Sequence, residues 1–329
     1  MTDHTASDHT ASDHTASDHT ASDHTASDHT KGLRIGTAPD SWGVWFADHP
    51  RQTPWERFLD EVAEAGYHFI ELGPYGYLPT DPVRLKEELD KRDLEISGGT
   101  IFTGFHKGEG QWDRAWEQVR DVATLVRAMG AEHIVVIPDL WRSDLTGEAL
   151  EARTLDDEQW TALAAGHDRL GKALLEEFGI HQQFHSHADS HVGTTGEVER
   201  LLAETDPQYV NLCLDTGHFA YYGGDNVALM QRHPDRIGYL HLKQIDPELI
   251  WEVLKNDKPF ADCASEIMVE PPNGIPDFAP VIEEAVTINP DMFAIVEQDM
   301  PGCDIDLPLG IAGRTRQHIF GCHPLTRTH

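Results

Sequence analysis

From Leu33 onward, short apolar runs alternate with stretches whose apolar residues recur every three or four positions. Residues 33–37 form the first run. Residues 54–65 then place Trp55, Phe58, Leu59 and Val62 at helical spacing ahead of Gly66, the pattern of a strand followed by an amphipathic helix with a stop. A second strand is predicted at 68–73, and a helix at 81–92 opens on Asp81-Pro82, a pair suited to a cap and first turn. The same reasoning predicts strands at 95–100, 133–138 and 180–185. Helices at 111–129 and 157–178 separate them, and another follows near 197–202. Strands at 209–215, 237–241 and 293–297 complete the series, with a closing helix near 311–320.

Strand-like runs alternating with helices in this way define parallel β/α units. A (β/α)8 TIM barrel is the simplest α/β architecture that holds eight of them, at about 250 residues plus insertions. The stretch 243–291 is long enough to be such an insertion. A doubly wound open sheet fits the alternation too, but no strand is followed by GxGxxG or a P-loop.

The first residues follow another rule. Residues 3–30 repeat DHTAS, with Asp-His-Thr starting at Asp3, Asp8, Asp13, Asp18, Asp23 and Asp28. Period five matches neither a helix nor a strand face, and no unit carries a large apolar side chain to offset its ordering entropy. Two domains are therefore expected: a disordered tail over 1–31, and a single catalytic barrel over 32–329. The tail reads as a solvated arm or as a weak metal collector, since His-rich tracts bind metals.

Charge and cysteine content narrow the functional classes. The 329 residues hold 25 Lys+Arg against 57 Asp+Glu, a net −32, and 21 His. Without the six Asp and six His of the repeat, the remainder still carries −26 and 15 His. Such acidity repels nucleic acid and anionic membrane. No apolar run approaches the roughly 20 residues of a transmembrane helix, and no signal peptide is evident. Four scattered cysteines without a CxxC pair suggest a reducing, cytoplasmic setting. Nothing in the pattern bears on association, and a homo-oligomer is compatible with it.

In a barrel of this kind, chemistry gathers at the C-terminal ends of the strands. Strand two ends at Glu71, strand five runs into His185 and His187, and strand six ends Asp215-Thr216-Gly217-His218. Strand seven ends His241-Leu242-Lys243, and strand eight ends Glu297-Gln298-Asp299. Four neighbouring strands thus each present an imidazole or carboxylate to one rim. A His/Asp/His/Glu set matches one divalent transition-metal site, with Mn or Co first and Zn or Fe next, and is too nitrogen-rich for Mg or Ca. Taken singly, a strand-end His is often structural, and Asp215 could simply cap the next helix.

The segment Gly36-Thr37-Ala38-Pro39-Asp40-Ser41-Trp42-Gly43-Val44-Trp45 resembles the opening of inosose dehydratase-like proteins, of the xylose-isomerase-like barrel superfamily of sugar isomerases and epimerases. The resemblance continues through Ile70–Gly76 and Phe184-His185-Ser186-His187-Ala188-Asp189. It is strongest in Leu214-Asp215-Thr216-Gly217-His218-Phe219-Ala220 and Arg236-Ile237-Gly238-Tyr239-Leu240-His241-Leu242-Lys243. It implies a metal held by His185, Asp215, His241 and Glu297. Many epimerising relatives carry Glu at the strand-five position and use two metal-bound glutamates as opposed acid and base. This chain has His185 there, as inosose dehydratases do, which turns the expectation towards elimination.

The implied reaction is loss of water from a keto-inositol or related keto-sugar through a metal-stabilised enediolate. His187 and His218 are the acid/base candidates, because imidazoles titrate near operating pH and both follow an expected ligand closely. Lys243 could hydrogen-bond an oxyanion or simply pair with a rim carboxylate. Glu71 could bind substrate hydroxyls, act as a base, or accept supporting hydrogen bonds. Asp40 and Trp42 are placed on the sugar face, where an aromatic plane suits a polyol ring; Trp42 as a plain core aromatic is the competing reading. Glu270, in Glu270-Pro271-Pro272-Asn273-Gly274, is placed as a substrate-facing lid residue, with an ordinary turn as the alternative. His106, His133 and His191 carry no second signal and read as structural. Competing functions are an isomerase, epimerase or 3-keto-glycoside lyase using the same enediolate, a non-catalytic sugar-binding subunit, and a nucleic-acid repair enzyme, the last opposed by the −26 core.

Overall fold

A computed structural model describes residues 32–326; the DHTAS repeat and the boundary drawn at residue 31 lie outside the described residues. Chain order runs β1 (Arg34–Thr37), α1 (Trp55–Ala65), β2 (Phe69–Glu71), α2 (Pro82–Asp90), β3 (Glu95–Thr103), α3 (Gln111–Ala128), β4 (His133–Pro138) and α4 (Asp157–Phe178). It continues with β5 (His181–His185), α5 (Thr195–Glu204), β6 (Val210–Asp215), α6 (Thr216–Tyr221), α7 (Asn226–Arg232) and β7 (Ile237–Leu242). Three helices follow, α8 (Pro247–Lys255), α9 (Phe260–Ile267) and α10 (Phe278–Ile288), before β8 (Phe293–Val296) and α11 (Pro308–Cys322). The strands form a closed parallel barrel in sequence order, with β1 pairing β8 as well as β2. The expected (β/α)8 architecture is what forms.

Local signals explain most of the boundaries. Gly66 ends α1 with φ 87°, and its N–H reaches the carbonyls of Val62 and Ala63, a left-handed stop that glycine adopts without a side-chain clash. Reciprocal capping boxes start α4 (Asp156 with Gln159) and α5 (Thr194 with Glu197). Strand β3 runs past the predicted residue 100 to Thr103, because Thr100–Thr103 find partners in Val135–Pro138 of β4. The apolar faces of α1, α3 and α4 bury Phe58, Val62, Val119, Val126, Leu163 and Leu170 against the outside of the barrel. Inside lies a second core of Phe69, Val135, Cys213, Tyr239, Phe293 and Ile295, which the period-two alternation of each strand turns inward.

The predicted insertion divides in two. Helix α10 returns to the main core through Phe278, Val281 and Ile282. Helices α8 and α9 join Ala188, Tyr221 and Ile245 in a separate apolar cluster over the C-terminal rim. Phe260, at the start of α9, thereby reaches the barrel mouth. The four cysteines are unpaired, and no helix among the described residues is long and apolar enough to cross a membrane.

His167 of α4 is fully buried, with Nδ1 3.1 Å from Gln182 Oε1 and the ring edges of Phe105 and Phe184 nearby. Burial pushes its pKa down to about 4, against about 6.5 in an unfolded chain. Between those values the unfolded chain binds a proton that the folded one does not, so stability falls as pH falls across that window. One such group contributes a slope of up to ~1.4 kcal/mol per pH unit. His167→Leu is expected to flatten the denaturant-derived stability profile between about pH 6.5 and 4 by that amount; an unchanged slope would contradict the assignment.

Candidate functional site

Strand register brings the rim residues together. His185 pairs with Cys213, two residues before Asp215; Asp215 pairs with His241; His241 pairs with Ile295, two residues before Glu297. These steps of two keep every one of these side chains on the inward face. One donor atom from each of His185, Asp215, His241 and Glu297 then lies within 4.8 Å of the others. His185 Nε2 is 3.3 Å from Asp215 Oδ2, while His241 Nδ1 is 3.7 Å from Asp215 Oδ2 and 2.9 Å from Glu297 Oε2.

Each donor is held by what its other atom does. Asp215 Oδ1 accepts the His218 N–H at 2.7 Å and so caps α6, leaving Oδ2 to the cluster. His241 Nε2 lies 3.0 Å from Glu71 Oε2; the ring donates there, which aims Nδ1 inward, and although burial works against the imidazolium, the surrounding acids hold its pKa well above the ordinary value. The Thr100 hydroxyl donates to the other Glu71 oxygen. Glu71 thus accepts from both His241 and Thr100 while also lining the cavity. Asp215 Oδ2 and His241 Nδ1 are buried without a well-formed hydrogen bond of their own, although His185, Lys243 and Glu297 stand 2.9–3.3 Å away as ionic neighbours. Buried polar atoms seldom remain so. Two of them aimed at a common point, in a donor set of two imidazoles and two carboxylates, fit a divalent transition ion.

Above this group sits Lys243, 2% exposed. Its Nζ is 2.7 Å from Asp299 Oδ2, 3.1 Å from Glu297 Oε2 and 3.3 Å from Asp215 Oδ2. Burial works against the ammonium, yet the carboxylates of Asp215, Asp299 and Glu297 raise its pKa well above the ordinary value. The reciprocal effect acts on the acids. Burial would raise Glu297, but His241 and Lys243 bring it down to about 2, and Lys243 likewise holds Asp215 well below its usual range. Asp40 behaves oppositely: burial first, then the nearby Glu297, push its carboxyl well above the normal carboxylate value.

His187 faces the cavity, with Nδ1 2.6 Å from the Ala188 carbonyl. Burial, reinforced by His185 and Lys243, pushes it down to about 3, so the ring is neutral. His218 does not reach the cavity. It stacks behind His187 with ring centroids 3.8 Å apart, and its Nδ1 accepts the Ala188 N–H at 3.1 Å. Its Nε2 lies 3.2 Å from Lys243 Nζ and 3.7 Å from Asp299 Oδ2.

The cavity over these groups has a volume of about 370 Å³. Five aromatic side chains, Trp45, Phe46, Tyr75, Phe102 and Phe260, stand in its walls, and Asp40, Glu71, His185, His187 and Lys243 also line it. Trp42, expected on the sugar face, is not there. It is 1% exposed, stacks edge-on against Phe58, and donates its indole N–H to Glu61 at 2.8 Å. Trp45 takes that place, lying parallel to Phe260 and donating to Asp299 Oδ1 at 3.1 Å. Glu270 also lies elsewhere, in a two-pronged pair with exposed Arg314 at 2.6 and 2.9 Å. Asp299, which the sequence offers only as the end of strand eight, enters the site because its position two beyond Glu297 continues the alternation that turns it inward.

Residues 59–312 match the model of the xylose isomerase-like TIM barrel family. An inosose dehydratase of Lacticaseibacillus casei is 32% identical over 81% of this chain and 90% of its own, and one of Geobacillus kaustophilus is 30% identical over 81% and 87%. The chain belongs to the xylose isomerase-like TIM barrel family, as an inosose dehydratase-like member. Among solved structures, the IolI protein with a bound zinc atom superposes with a TM-score of 0.67 at 14% identity, covering 88% of this chain and 99% of that one. The probable 3-DHS dehydratase AsbF of Bacillus anthracis gives 0.63 at 17%, covering 86% and 97%. At such identities the likeness concerns the fold.

Removing the ammonium leaves Asp215, Glu297 and Asp299 buried without it. Lys243→Met is expected to cost metal-stripped protein ~3–5 kcal/mol in urea unfolding at neutral pH, with part of the loss regained on adding a divalent cation. Unaltered stability would show that the carboxylates do not depend on Lys243.

Proposed function

We propose that the chain is a dehydratase that removes water from a keto-inositol (inosose) or a closely related keto-sugar, with one divalent ion held by His185, Asp215, His241 and Glu297. The observation that carries this reading is the convergence of those four donors beneath an aromatic-walled cavity. Its support from relatives is the identity of 32% and 30% with two proteins named inosose dehydratase, across most of both lengths. When bound, the ion supplies Lewis-acid polarisation of a ketone and its neighbouring hydroxyl. Two imidazoles and two carboxylates favour Mn(II) or Co(II), then Zn(II) or Fe(II).

The remaining chemistry falls to the chain itself. Trp45 and Phe260 receive the C–H face of a polyol ring. His187 keeps its proton on Nδ1, held by the Ala188 carbonyl, so Nε2 carries the lone pair that removes the proton α to the ketone. His218, stacked behind it, fixes the plane of that ring. Lys243 Nζ donates to the oxygen on which charge develops. Asp40, whose carboxyl lines the cavity, delivers a proton to the departing β-hydroxyl. One C–H and one C–O bond break, a C=C bond forms and water leaves, with no redox partner required. The ammonium is already matched by carboxylates, which favours an uncharged polyol over a phosphorylated one. The unpaired cysteines support a reducing, cytoplasmic setting.

Metal-loaded full-length protein is expected to convert a keto-inositol to a product lighter by one water, read by mass spectrometry. His187→Ala and Asp40→Asn should each lower turnover by about 10²–10⁴-fold with the fold intact. Substrate recovered at unchanged mass with altered configuration would replace dehydration by isomerisation or epimerisation.

A further inference from the structure

Three loops at the C-terminal rim converge on a second group of ligand-type side chains. His106 lies in the short turn Phe105–Lys107 after β3, Glu151 in the 139–156 connection after β4, and His191 in the connection after β5. One donor atom from each lies within 4.8 Å of the others. His106 Nε2 is 3.0 Å from Glu151 Oε2, His191 Nε2 is 3.6 Å from Glu151 Oε1, and the two imidazole centroids are 4.5 Å apart. We propose that His106, Glu151 and His191 form a second metal site, which takes one divalent ion of the zinc class and is distinct from the His185/Asp215/His241/Glu297 group.

The unpaired atoms are what favour a ligand over a plain hydrogen-bonded triad. His191 is 2% exposed, and its Nδ1 lies 2.9 Å from the Arg153 carbonyl. The ring donates there, so Nε2 holds its lone pair inside the triad, the arrangement in which a backbone carbonyl orients a metal-ligating imidazole. That Nε2 is buried inside the triad with no hydrogen-bond partner, and Nδ1 of His106, the nitrogen not facing Glu151, is unpartnered too. A buried imidazole nitrogen left so among ligand-type groups is costly unless something satisfies it. The nearest cation, Lys107 Nζ, stands 3.4 Å from Glu151 Oε1 but is held at 2.7 Å by Asp139 Oδ2, outside the triad. Two imidazoles and one carboxylate leave a fourth tetrahedral position for water. The role is one of positioning. The ion would clamp the 139–156 connection, whose Leu140 and Asp144 line the substrate cavity, to the loops after β3 and β5.

The test uses full-length protein stripped by chelator, incubated with excess zinc, and desalted in the presence of a weak competing chelator. Zinc per chain is then read by elemental mass spectrometry. The DHTAS repeat is common to all variants, so differences between chains isolate the folded sites. Glu151→Gln and His191→Ala should each retain one zinc fewer than the unaltered chain, and Glu151→Gln combined with Asp215→Asn should retain two fewer. Zinc should also slow proteolysis within 139–156 in the unaltered chain and not in Glu151→Gln. Retention of the full zinc count by Glu151→Gln, a near-isosteric change at a half-buried loop position, overturns the proposal even if His191→Ala fails to fold. Loss of zinc in Asp215→Asn alone bears only on the barrel-centre site.

Discussion

The Lys243 ammonium is almost wholly removed from water and stands within 3.9 Å of four carboxylates, those of Asp40, Asp215, Glu297 and Asp299. Neither partner set could be buried alone, since an isolated charge in such surroundings costs several kcal/mol or more. The acids hold the ammonium charged, and the ammonium holds Asp215 and Glu297 ionised. Burial, reinforced by Glu297, pushes Asp40 the other way, and burial raises Asp299 as well. Neighbouring carboxyl groups around one buried cation are thus sorted by their surroundings, Asp215 and Glu297 held as anions and Asp40 raised. That sorting is what acid–base chemistry at a single pH requires.

The scaffold serves this arrangement by fixing the atoms that could otherwise rotate. The second oxygen of Asp215 is spent on a helix cap, the second nitrogen of His241 on Glu71, and Nδ1 of His187 on a backbone carbonyl. In each case the free atom is aimed by the occupied one. Close packing supplies the rest: a Cβ on Gly171 would overlap the Tyr209 carbonyl, so α4 lies against the start of β6 only because that position is glycine. The clusters of the barrel interior and of α8–α9 then floor and flank the cavity with apolar side chains.

What was legible in the sequence follows from periodicity. Strands announce themselves by apolar runs, and the residues ending each run fall on the rim, which puts His185, Asp215, His241 and Glu297 among the rim candidates; singling out those four as a ligand set rests on the family resemblance. Residues carried by irregular segments could not. Trp42 and Trp45 are three apart in a loop whose path no period dictates, and the indole that reaches the cavity is the second. Glu270 sits in a turn whose direction depends on α8 and α9, and it faces Arg314 instead. His106 and His191 looked solitary because Glu151 is far from both in sequence and meets them only through the 139–156 connection.

Lys243 also connects the resting and metal-bound descriptions of the mouth. Its ammonium touches Asp215 Oδ2 and Glu297 Oε2, oxygens that a divalent ion would also use. Lysine and a bound ion would therefore act on the same anions, each weakening the other's hold through like-charge repulsion. Asp299 resolves the conflict, because it gives Lys243 its shortest contact and lies outside the four-donor group. With Asp299 as its anchor, Lys243 can cede the shared oxygens without becoming an unpaired buried charge. Asp299 also accepts the Trp45 indole N–H, so the carboxylate that steadies the ammonium steadies the aromatic wall as well. The charge-balancing and substrate-facing parts of the mouth are in this way a single hydrogen-bonded unit.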